Sequence, residues 1–217
     1  MFDLDNVTVN EQSSIKISGS SILYFDPFHI NETKLDADIV FLTHGHYDHF
    51  SPEDIEKVAS GNAIFVIPSK MIKEVKSIGV SDERIVTMKP GNEMIIKDRK
   101  GNSIKVLAVP AYNKSKPFHP KLHKWCGYVV TMDDTTFYIA GDTDGLTENE
   151  AIECDVAFIP IGGTYTMNYK EAAAFTNELN PKTVIPIHYG SIVGEPAYGD
   201  RFEELVMDSL NVDKKLF

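Results

Sequence analysis

The sequence predicts a single layered α/β domain, and three observations carry this prediction. The chain has 217 residues, 42% of them hydrophobic, which is enough for one large core. Short apolar runs of strand type alternate with segments that have helical spacing and capping residues. No linker rich in Pro, Gly or Ser and no low-complexity segment divides the chain. We therefore expect residues 1–217 to fold as one unit of mixed strands and helices.

The predicted strands are short apolar runs bounded by turn residues. They cover residues 14–18, 21–25, 38–43, 63–67, 103–109, 128–132, 135–140, 156–161 and 184–187. The first two flank Gly19 and predict a hairpin, and a second hairpin is expected where Asp133 and Asp134 separate two runs. The run at 38–43 is almost continuously apolar, which is typical of a strand buried on both faces.

Capping residues and apolar spacing predict four helices. These cover residues 52–60, 70–78, 169–179 and 200–210. Ser51 is the expected N-cap of the first helix, with Pro52 at the first helical position and Gly61 at the end. Asn168 and Glu171 have the spacing of a capping box, which predicts the start of the third helix.

Charge and cysteine content narrow the possible functions. The formal net charge of -11 disfavours non-specific binding to nucleic acid or acidic lipid, because both need clustered basic residues. Cys126 and Cys154 are the only cysteines, so we expect two buried thiols rather than a disulfide framework or a zinc–thiolate site. The acidic start has no apolar signal segment, and no apolar run reaches membrane-spanning length. We therefore expect a soluble, cytoplasmic protein.

The strongest functional signal is the segment at residues 43–49, which reads Thr-His-Gly-His-Tyr-Asp-His. Imidazole suits zinc, iron, copper and nickel, and a carboxylate adds a hard oxygen ligand or a proton acceptor. Four such groups exceed the need of one structural metal once further ligands arrive from elsewhere in the chain. The segment therefore predicts a catalytic metal centre with room for two ions, against the alternative of a polar loop whose histidines only form hydrogen bonds.

Polar side chains of metal-binding type also follow several predicted strands directly. These are Asp26, His44, Asp142 and His188. If the strands share a layer, the four side chains can converge on one rim, where α/β folds tend to bind ligands.

These segments together resemble the metallo-β-lactamase-fold hydrolases. The resemblance rests on residues 44–49, on Gly-Asp-Thr at 141–143 and on Pro-Ile-His-Tyr-Gly at 186–190, in this order and spacing. It extends over most of the chain, and within the superfamily the chain is similar to the compact branch near ascorbate-6-phosphate lactonase. The resemblance implies a four-layer αββα sandwich over residues 1–217, made of two similar halves, with metal ions on its upper edge.

The resemblance also implies a ligand set for one or two divalent ions, with zinc expected first and manganese or iron as alternatives. His44 and His46 would bind one ion, Asp48, His49 and His188 would bind the other, and Asp142 would bridge them. Asp26 is expected behind these ligands, where it orients one of them or supports the loop.

One expected ligand departs from the family pattern. The family usually takes the third histidine of the first site shortly after the strand that ends here at residues 109–111. Asn113 stands at about that place, and an amide oxygen is a poor substitute for imidazole. His119 lies six residues further on and a loop could bring it in, while His123 is a further candidate. Whether His119 or Asn113 completes the first site stays open at this point.

Other polar residues near these segments have competing interpretations. A turn explains Asp144, and His29 is read as a loop histidine that could also line the pocket. Tyr189 and His119 are candidates for protonating a leaving group. The segment at residues 162–167 either brings backbone close to a substrate or only makes a tight turn.

The sequence predicts hydrolysis by a metal-activated water, with Asp48 orienting the nucleophile as well as binding an ion. Excess positive charge in the pocket favours a small anionic ester, lactone or phosphoester as substrate. A phosphodiesterase or nuclease acting on nucleic acid is the alternative enzyme, and a non-catalytic metal-binding module of the same fold is the alternative outside catalysis. A di-iron oxygen-reducing protein of this fold would carry glutamate in place of His46, usually beside a flavin domain, and neither is found.

Overall fold

The computed structural model describes residues 2–216. In this range the strands are β1 (Val7–Val9), β2 (Ile15–Ser18), β3 (Ile22–Phe25), β4 (Ala37–Phe41), β5 (Ala59–Pro68), β6 (Ile85–Met88), β7 (Glu93–Lys97), β8 (Ser103–Pro110), β9 (Cys126–Met132), β10 (Thr135–Ile139), β11 (Val156–Pro160), β12 (Thr183–Ile187) and β13 (Asn211–Val212). The α-helices are α1 (Pro52–Val58), α2 (Ile72–Ser77), α3 (Tyr169–Leu179) and α4 (Tyr198–Glu203). None of the helices within residues 2–216 is long and apolar enough to cross a membrane.

The first sheet contains β1 to β6 in sequence order. Strands β1, β2 and β3 pair antiparallel, and the predicted hairpin around Gly19 is confirmed as β2 and β3. Strands β3 to β6 run parallel, so that their carboxyl ends meet at one edge of the sheet. Helix α1 follows β4 and begins as predicted, because the Ser51 side chain accepts a hydrogen bond from the Asp54 N–H.

The second sheet has the strand order β13-β12-β11-β10-β9-β8-β7. Strands β7 to β10 pair antiparallel, and strands β10 to β13 run parallel. The second predicted hairpin is confirmed, with Asp133 and Asp134 at φ angles of 51° and 57° in the two-residue turn between β9 and β10. The carboxyl ends of β8, β10, β11 and β12 therefore lie at the same edge of this sheet.

The two sheets pack face to face around a central apolar core. Phe25 and Phe41 of the first sheet stack with ring centroids 4.5 Å apart, and Tyr128 of the second sheet contacts Phe41 edge to face at 5.3 Å. Full burial of such a side chain contributes roughly 1.5–3 kcal/mol. A second apolar cluster joins the outer face of the second sheet to α3, and a third joins the outer face of the first sheet to α1 and α2. This α, β, β, α order confirms the predicted layered fold.

Element boundaries differ from the predictions at two helices. The first helix ends at Val58 rather than at Gly61, because the chain passes directly into β5 and Gly61 lies inside that strand. The closing helix predicted over residues 200–210 is limited to Tyr198–Glu203. The strands that the sequence did not predict are β1, β6, β7 and β13, which are the edge strands of the two sheets. Edge strands bury less side-chain surface, so their sequences carry a weaker apolar pattern.

Candidate metal centre

The loops that follow strands β3, β4, β8, β10 and β12 meet at one edge of the sandwich and form a polar cluster. The cluster contains Asp26, His44, His46, Asp48, His49, His119, Asp142 and His188. Asp26, His44, Asp142 and His188 stand just beyond strands, as the sequence predicts. The other three residues of the His44 segment lie further along the loop after β4, and His119 comes from the longer loop between β8 and β9.

Two members of the cluster hold an uncommon backbone conformation. Asp26 and His188 have φ angles of 43° and 57°, in the left-handed region, which costs on the order of 1 kcal/mol for such residues. Backbone hydrogen bonds hold both in place, from the Asp26 N–H to the Phe41 carbonyl at 3.0 Å and from the His188 N–H to the Gln12 carbonyl at 2.9 Å. The fold thus turns both side chains sharply at the strand ends.

Three imidazoles form the first group of potential ligands. His44 Nε2 lies 3.1 Å from His46 Nδ1, and the His119 ring centroid lies 5.0 Å from that of His44 and 4.9 Å from that of His46. One nitrogen from each ring lies within 4.8 Å of the other two. Three imidazole nitrogens that converge in this way can bind a divalent ion and leave a further position open.

Asp48, His49 and His188 form the second group. Asp48 Oδ2 lies 3.5 Å from His49 Nε2 and 3.3 Å from His188 Nε2, and all three ligand atoms fall within 4.8 Å of one another. Two imidazoles and a carboxylate also suit a divalent transition metal.

Asp142 stands between the two groups and presents one oxygen to each. Its Oδ2 lies 3.2 Å from His119 Nε2 and 4.0 Å from His44 Nε2. Its Oδ1 lies 3.3 Å from both His49 Nε2 and His188 Nε2. This is the arrangement that a carboxylate needs to bridge two ions.

The polar atoms at the centre of the cluster fit a bound metal. Among the described residues, His49 Nε2, His119 Nε2, His188 Nε2 and Asp142 Oδ1 are buried and have no hydrogen-bond partner of acceptable geometry. Leaving a buried polar atom without a partner costs about 1–3 kcal/mol. Divalent ions between these atoms would satisfy all four of them.

Asp26 and Thr43 hold the second group from behind. Asp26 Oδ2 lies 2.7 Å from His49 Nδ1 and accepts a hydrogen bond from the Thr43 hydroxyl at 2.5 Å, while Oδ1 accepts from the Thr43 N–H at 2.7 Å. With its proton on Nδ1, His49 points Nε2 at the cluster centre. Asp26 therefore lies where it can orient His49, one of the two roles that the family resemblance implies for it.

Asn113 lies behind His119 rather than at the cluster centre. The amide oxygen of Asn113 lies 3.0 Å from His119 Nδ1, so that the imidazole of His119 is the group that completes the first set. His123 packs against Trp125 at 4.6 Å between ring centroids and belongs to none of the potential ligand groups.

Trp125 is the part of the site that the sequence reasoning missed. Its ring centroid lies 5.0 Å from those of His44 and His46 and 5.6 Å from that of His119. The indole therefore forms an apolar wall of the first group. It is the only tryptophan of the chain and directly precedes β9, a signal that could have drawn attention to it.

Electrostatics keep the carboxylates of Asp48 and Asp142 ionised. Burial by itself would raise the pKa of Asp142, but the nearby imidazoles of His188 and His49 outweigh it and hold that pKa well below its usual value. Burial would also raise the pKa of Asp48, and hydrogen bonds from His188 and His49 again hold it low. Burial, together with the nearby His49, lowers the pKa of His44 well below its usual value, which leaves its imidazole neutral at pH 7.

Three other sequence candidates lie outside the cluster. His29 is exposed, lies 2.6 Å from the Glu11 carboxylate and stacks on a phenylalanine. Tyr189 is buried in the apolar cluster on the outer face of the second sheet, beside α4, so it does not line the site. Asp144 does more than shape a turn, because its carboxylate accepts hydrogen bonds from the loop that carries His119.

The segment at residues 162–167 packs tightly beside the cluster. A Cβ on Gly162 would collide with the backbone carbonyl oxygen of His188, and Thr166 and Met167 are buried. The tight-packing interpretation therefore explains Gly162. Tyr165 remains partly exposed and contacts Phe118 edge to face at 4.7 Å between ring centroids.

Comparison with known proteins agrees with this arrangement. Residues 6–188 match the family model of the beta-lactamase superfamily domain. The chain is 31% identical over 211 residues to a UPF0173 metal-dependent hydrolase of Thermococcus kodakarensis, which covers 90% of this chain and 89% of the relative. A structure from Parabacteroides distasonis, assigned as a metal-dependent hydrolase, shares 26% identity over 97% of this chain and 93% of that chain, with a TM-score of 0.78. A metallo hydrolase of Ignicoccus hospitalis shares the fold with a TM-score of 0.74 and 22% identity over 96% and 93% of the two chains. The chain therefore belongs to the metallo-β-lactamase superfamily and, within it, to the UPF0173 family of metal-dependent hydrolases.

Proposed function

We propose that this chain hydrolyses a small anionic ester, lactone or phosphoester at a centre of two divalent metal ions, with zinc as the expected metal. The observation that carries the proposal is the position of Asp142, whose two oxygens face two separate groups of buried ligand atoms at 3.2–3.3 Å. A single structural ion would leave one of these groups without a partner.

Each ion would have its own ligands in this proposal. The first would be held by His44, His46 and His119, the second by Asp48, His49 and His188, and both by Asp142. When bound, such ions supply Lewis-acid polarisation of a carbonyl or phosphoryl oxygen and activate water at neutral pH.

The chain's own residues then position the reactants. Asp48 keeps part of its side chain accessible, 12% against 3% for Asp142, so its second oxygen can accept a hydrogen bond from the attacking water. Trp125 limits the access of bulk water to the three imidazoles of the first group. Asp26 fixes the orientation of the His49 ring, so that the ring need not reorganise during the reaction.

Charge supports an anionic substrate. Two divalent ions bring more positive charge than Asp48 and Asp142 return, so the pocket would be cationic in a chain of net charge -11. The same net charge counts against a nucleic acid, whose binding needs a wide basic surface. Two unpaired cysteines within the described residues support the expectation of a reducing, cytoplasmic compartment.

A substrate panel with defined metals tests the proposal. The metal-free chain is loaded with zinc, manganese or iron and assayed against lactones, thioesters and phosphodiesters. We expect hydrolysis of at least one anionic class, dependent on metal and lost in Asp48→Ala. A loaded protein that hydrolyses no member of the panel would favour the non-catalytic module of this fold instead.

A further inference from the structure

The side-chain amide of Asn113 contacts both the backbone and the imidazole ring of His119. Its Oδ1 accepts a hydrogen bond from the His119 N–H at 3.1 Å and lies 3.0 Å from His119 Nδ1. The Asn113 N–H in turn donates to the His119 carbonyl at 2.8 Å. Since an amide oxygen can only accept, the proton of the His119 ring must be on Nδ1. The lone pair of Nε2 then faces Asp142 Oδ2, 3.2 Å away.

The nitrogen of the same amide, Asn113 Nδ2, is also hydrogen-bonded. Asn113 Nδ2 donates to Asp144 Oδ1 at 3.0 Å and to the Tyr165 carbonyl at 2.9 Å. Two acceptors around this atom identify it as the nitrogen, which fixes the orientation of the amide. Asp144 is itself held by the Lys114 N–H at 2.8 Å and by the Lys116 ammonium at 3.2 Å. Lys116 also donates to the Thr166 carbonyl, which ties the His119 loop to the neighbouring loop.

The side-chain amide of Asn113 forms all the hydrogen bonds that an amide can accept and donate. Asn113 is also buried, with 7% of its surface accessible. Two other imidazoles of the cluster, those of His49 and His44, have different supports. A carboxylate, that of Asp26, faces His49 Nδ1 at 2.7 Å, and the Thr43 hydroxyl faces His44 Nδ1 at 3.0 Å. His119 alone comes from a long loop, so its position depends more on a side-chain support than that of a residue at a strand end.

We propose that Asn113, held by Asp144, is a positioning residue that sets how tightly the first group, His44, His46 and His119, binds its metal ion. Asn113 does not touch the ion in this proposal. It fixes the tautomer and direction of the His119 ring and thereby prearranges the third nitrogen of the group. The proposal rests on the proposed metal-dependent function, but it concerns metal affinity and not turnover.

Metal titrations of the full-length chain test this inference with three variants. In Asn113→Ala the His119 ring loses its support. In Asp144→Ala the Asn113 amide loses the carboxylate that accepts from its Nδ2 at 3.0 Å, while the Asn113 oxygen stays in place beside His119. Asn149→Ala is the matched control, because Asn149 is 1% accessible and its amide donates at 2.9 Å and 3.1 Å to groups outside the cluster.

The metal-free chains are titrated with Zn²⁺ and Co²⁺ against a competing chelator, which resolves one binding step for each ion. The binding step that is lost in His119→Ala is assigned to the first group. We expect Asn113→Ala to weaken this step about 10- to 100-fold and to alter its Co²⁺ absorption spectrum, with the second step unchanged. Asp144→Ala should weaken the same step by a smaller factor, and Asn149→Ala should leave both steps as in the wild type.

The outcomes separate this inference from the proposed function. Equal first-step affinity in Asn113→Ala and Asn149→Ala, or wild-type first-step affinity in Asp144→Ala, would overturn the positioning role alone. A wild-type chain that binds no ion would overturn both proposals.

Discussion

Replacing Asp26 with asparagine isolates the contribution of the carboxylate behind His49. In the native chain Asp26 Oδ2 faces His49 Nδ1 at 2.7 Å and accepts from the Thr43 hydroxyl, while Oδ1 accepts from the Thr43 N–H. In Asp26→Asn, Oδ1 can keep its bond to the Thr43 N–H, but an amide N–H then faces His49. The ring would respond by accepting at Nδ1 and moving its proton to Nε2, the atom that faces Asp142.

The expected magnitude follows from the two hydrogen bonds that change. A hydrogen bond to a charged group contributes about 1.5–3 kcal/mol and a neutral one about 1 kcal/mol, so two such changes amount to roughly 1–4 kcal/mol. At about 1.4 kcal/mol per tenfold change, this is a loss of affinity of roughly 5- to 700-fold. Variants behind a metal ligand typically lose roughly 10- to 100-fold. We therefore expect a loss of about 10- to 100-fold in the binding step of the second group, with the step of the first group retained.

A chelator-competition titration with Zn²⁺ measures the two steps, and long-range ¹H–¹⁵N correlation of the histidine rings reports the tautomer of His49. Asp98→Asn is the control, since Asp98 is also buried and multiply hydrogen-bonded but lies at the opposite edge of the sandwich, in the turn between β7 and β8. An Asp26→Asn chain that binds both ions as tightly as Asp98→Asn would refute the reasoning.

Three further predictions concern catalysis, stability and thiol chemistry. His46→Ala and Asp48→Ala should each abolish hydrolysis of any substrate identified, and full activity in either would contradict the assignment. Burial would raise the pKa of Asp36, but hydrogen bonds from a lysine and a tyrosine outweigh this effect and lower the pKa. The ionised Asp36 therefore stabilises the folded chain above about pH 4, and this stabilisation is lost as the pH falls through the lowered pKa. Urea titrations at pH 7 should therefore give Asp36→Asn a free energy of unfolding about 1 kcal/mol below that of the wild type, and this difference should shrink towards pH 3. A difference that persists at pH 3 would contradict the argument. Burial raises the pKa of Cys126 and Cys154 to about 12, so both thiols should react with a disulfide reagent at pH 8 at least about 100-fold more slowly in the folded than in the unfolded chain.

The parts of the fold that the sequence predicted are those in which local and tertiary preferences agree. The central strands are almost continuously apolar because they are buried on both faces, and the capping box at Asn168 and Glu171 is formed as expected. The edge strands were missed because each has a neighbouring strand on one side only and buries fewer side chains. Their sequences therefore have a weaker apolar pattern. The end of the first helix was placed wrongly because Gly61, a residue typical of helix ends, lies within β5.

At the site, the residues at strand ends were predictable because a strand fixes where its last residue points. His44, Asp142 and His188 are of this kind. The placement of His119 was not, because it depends on how the loop between β8 and β9 folds, and that loop is held by the contacts of Asn113 with Asp144 and Tyr165 across more than 30 positions of sequence. The similarity to the branch near ascorbate-6-phosphate lactonase stays a prediction.

Metal content tests the central claim most directly. The full-length chain, purified without chelator and then dialysed against zinc, is analysed for bound metal by mass spectrometry alongside His119→Ala and His188→Ala. We predict two ions per wild-type chain and one in each variant, since each variant removes a ligand from a different group. A wild-type chain that binds no ion, or two variants that both retain two, would contradict a centre built from two ligand groups around Asp142.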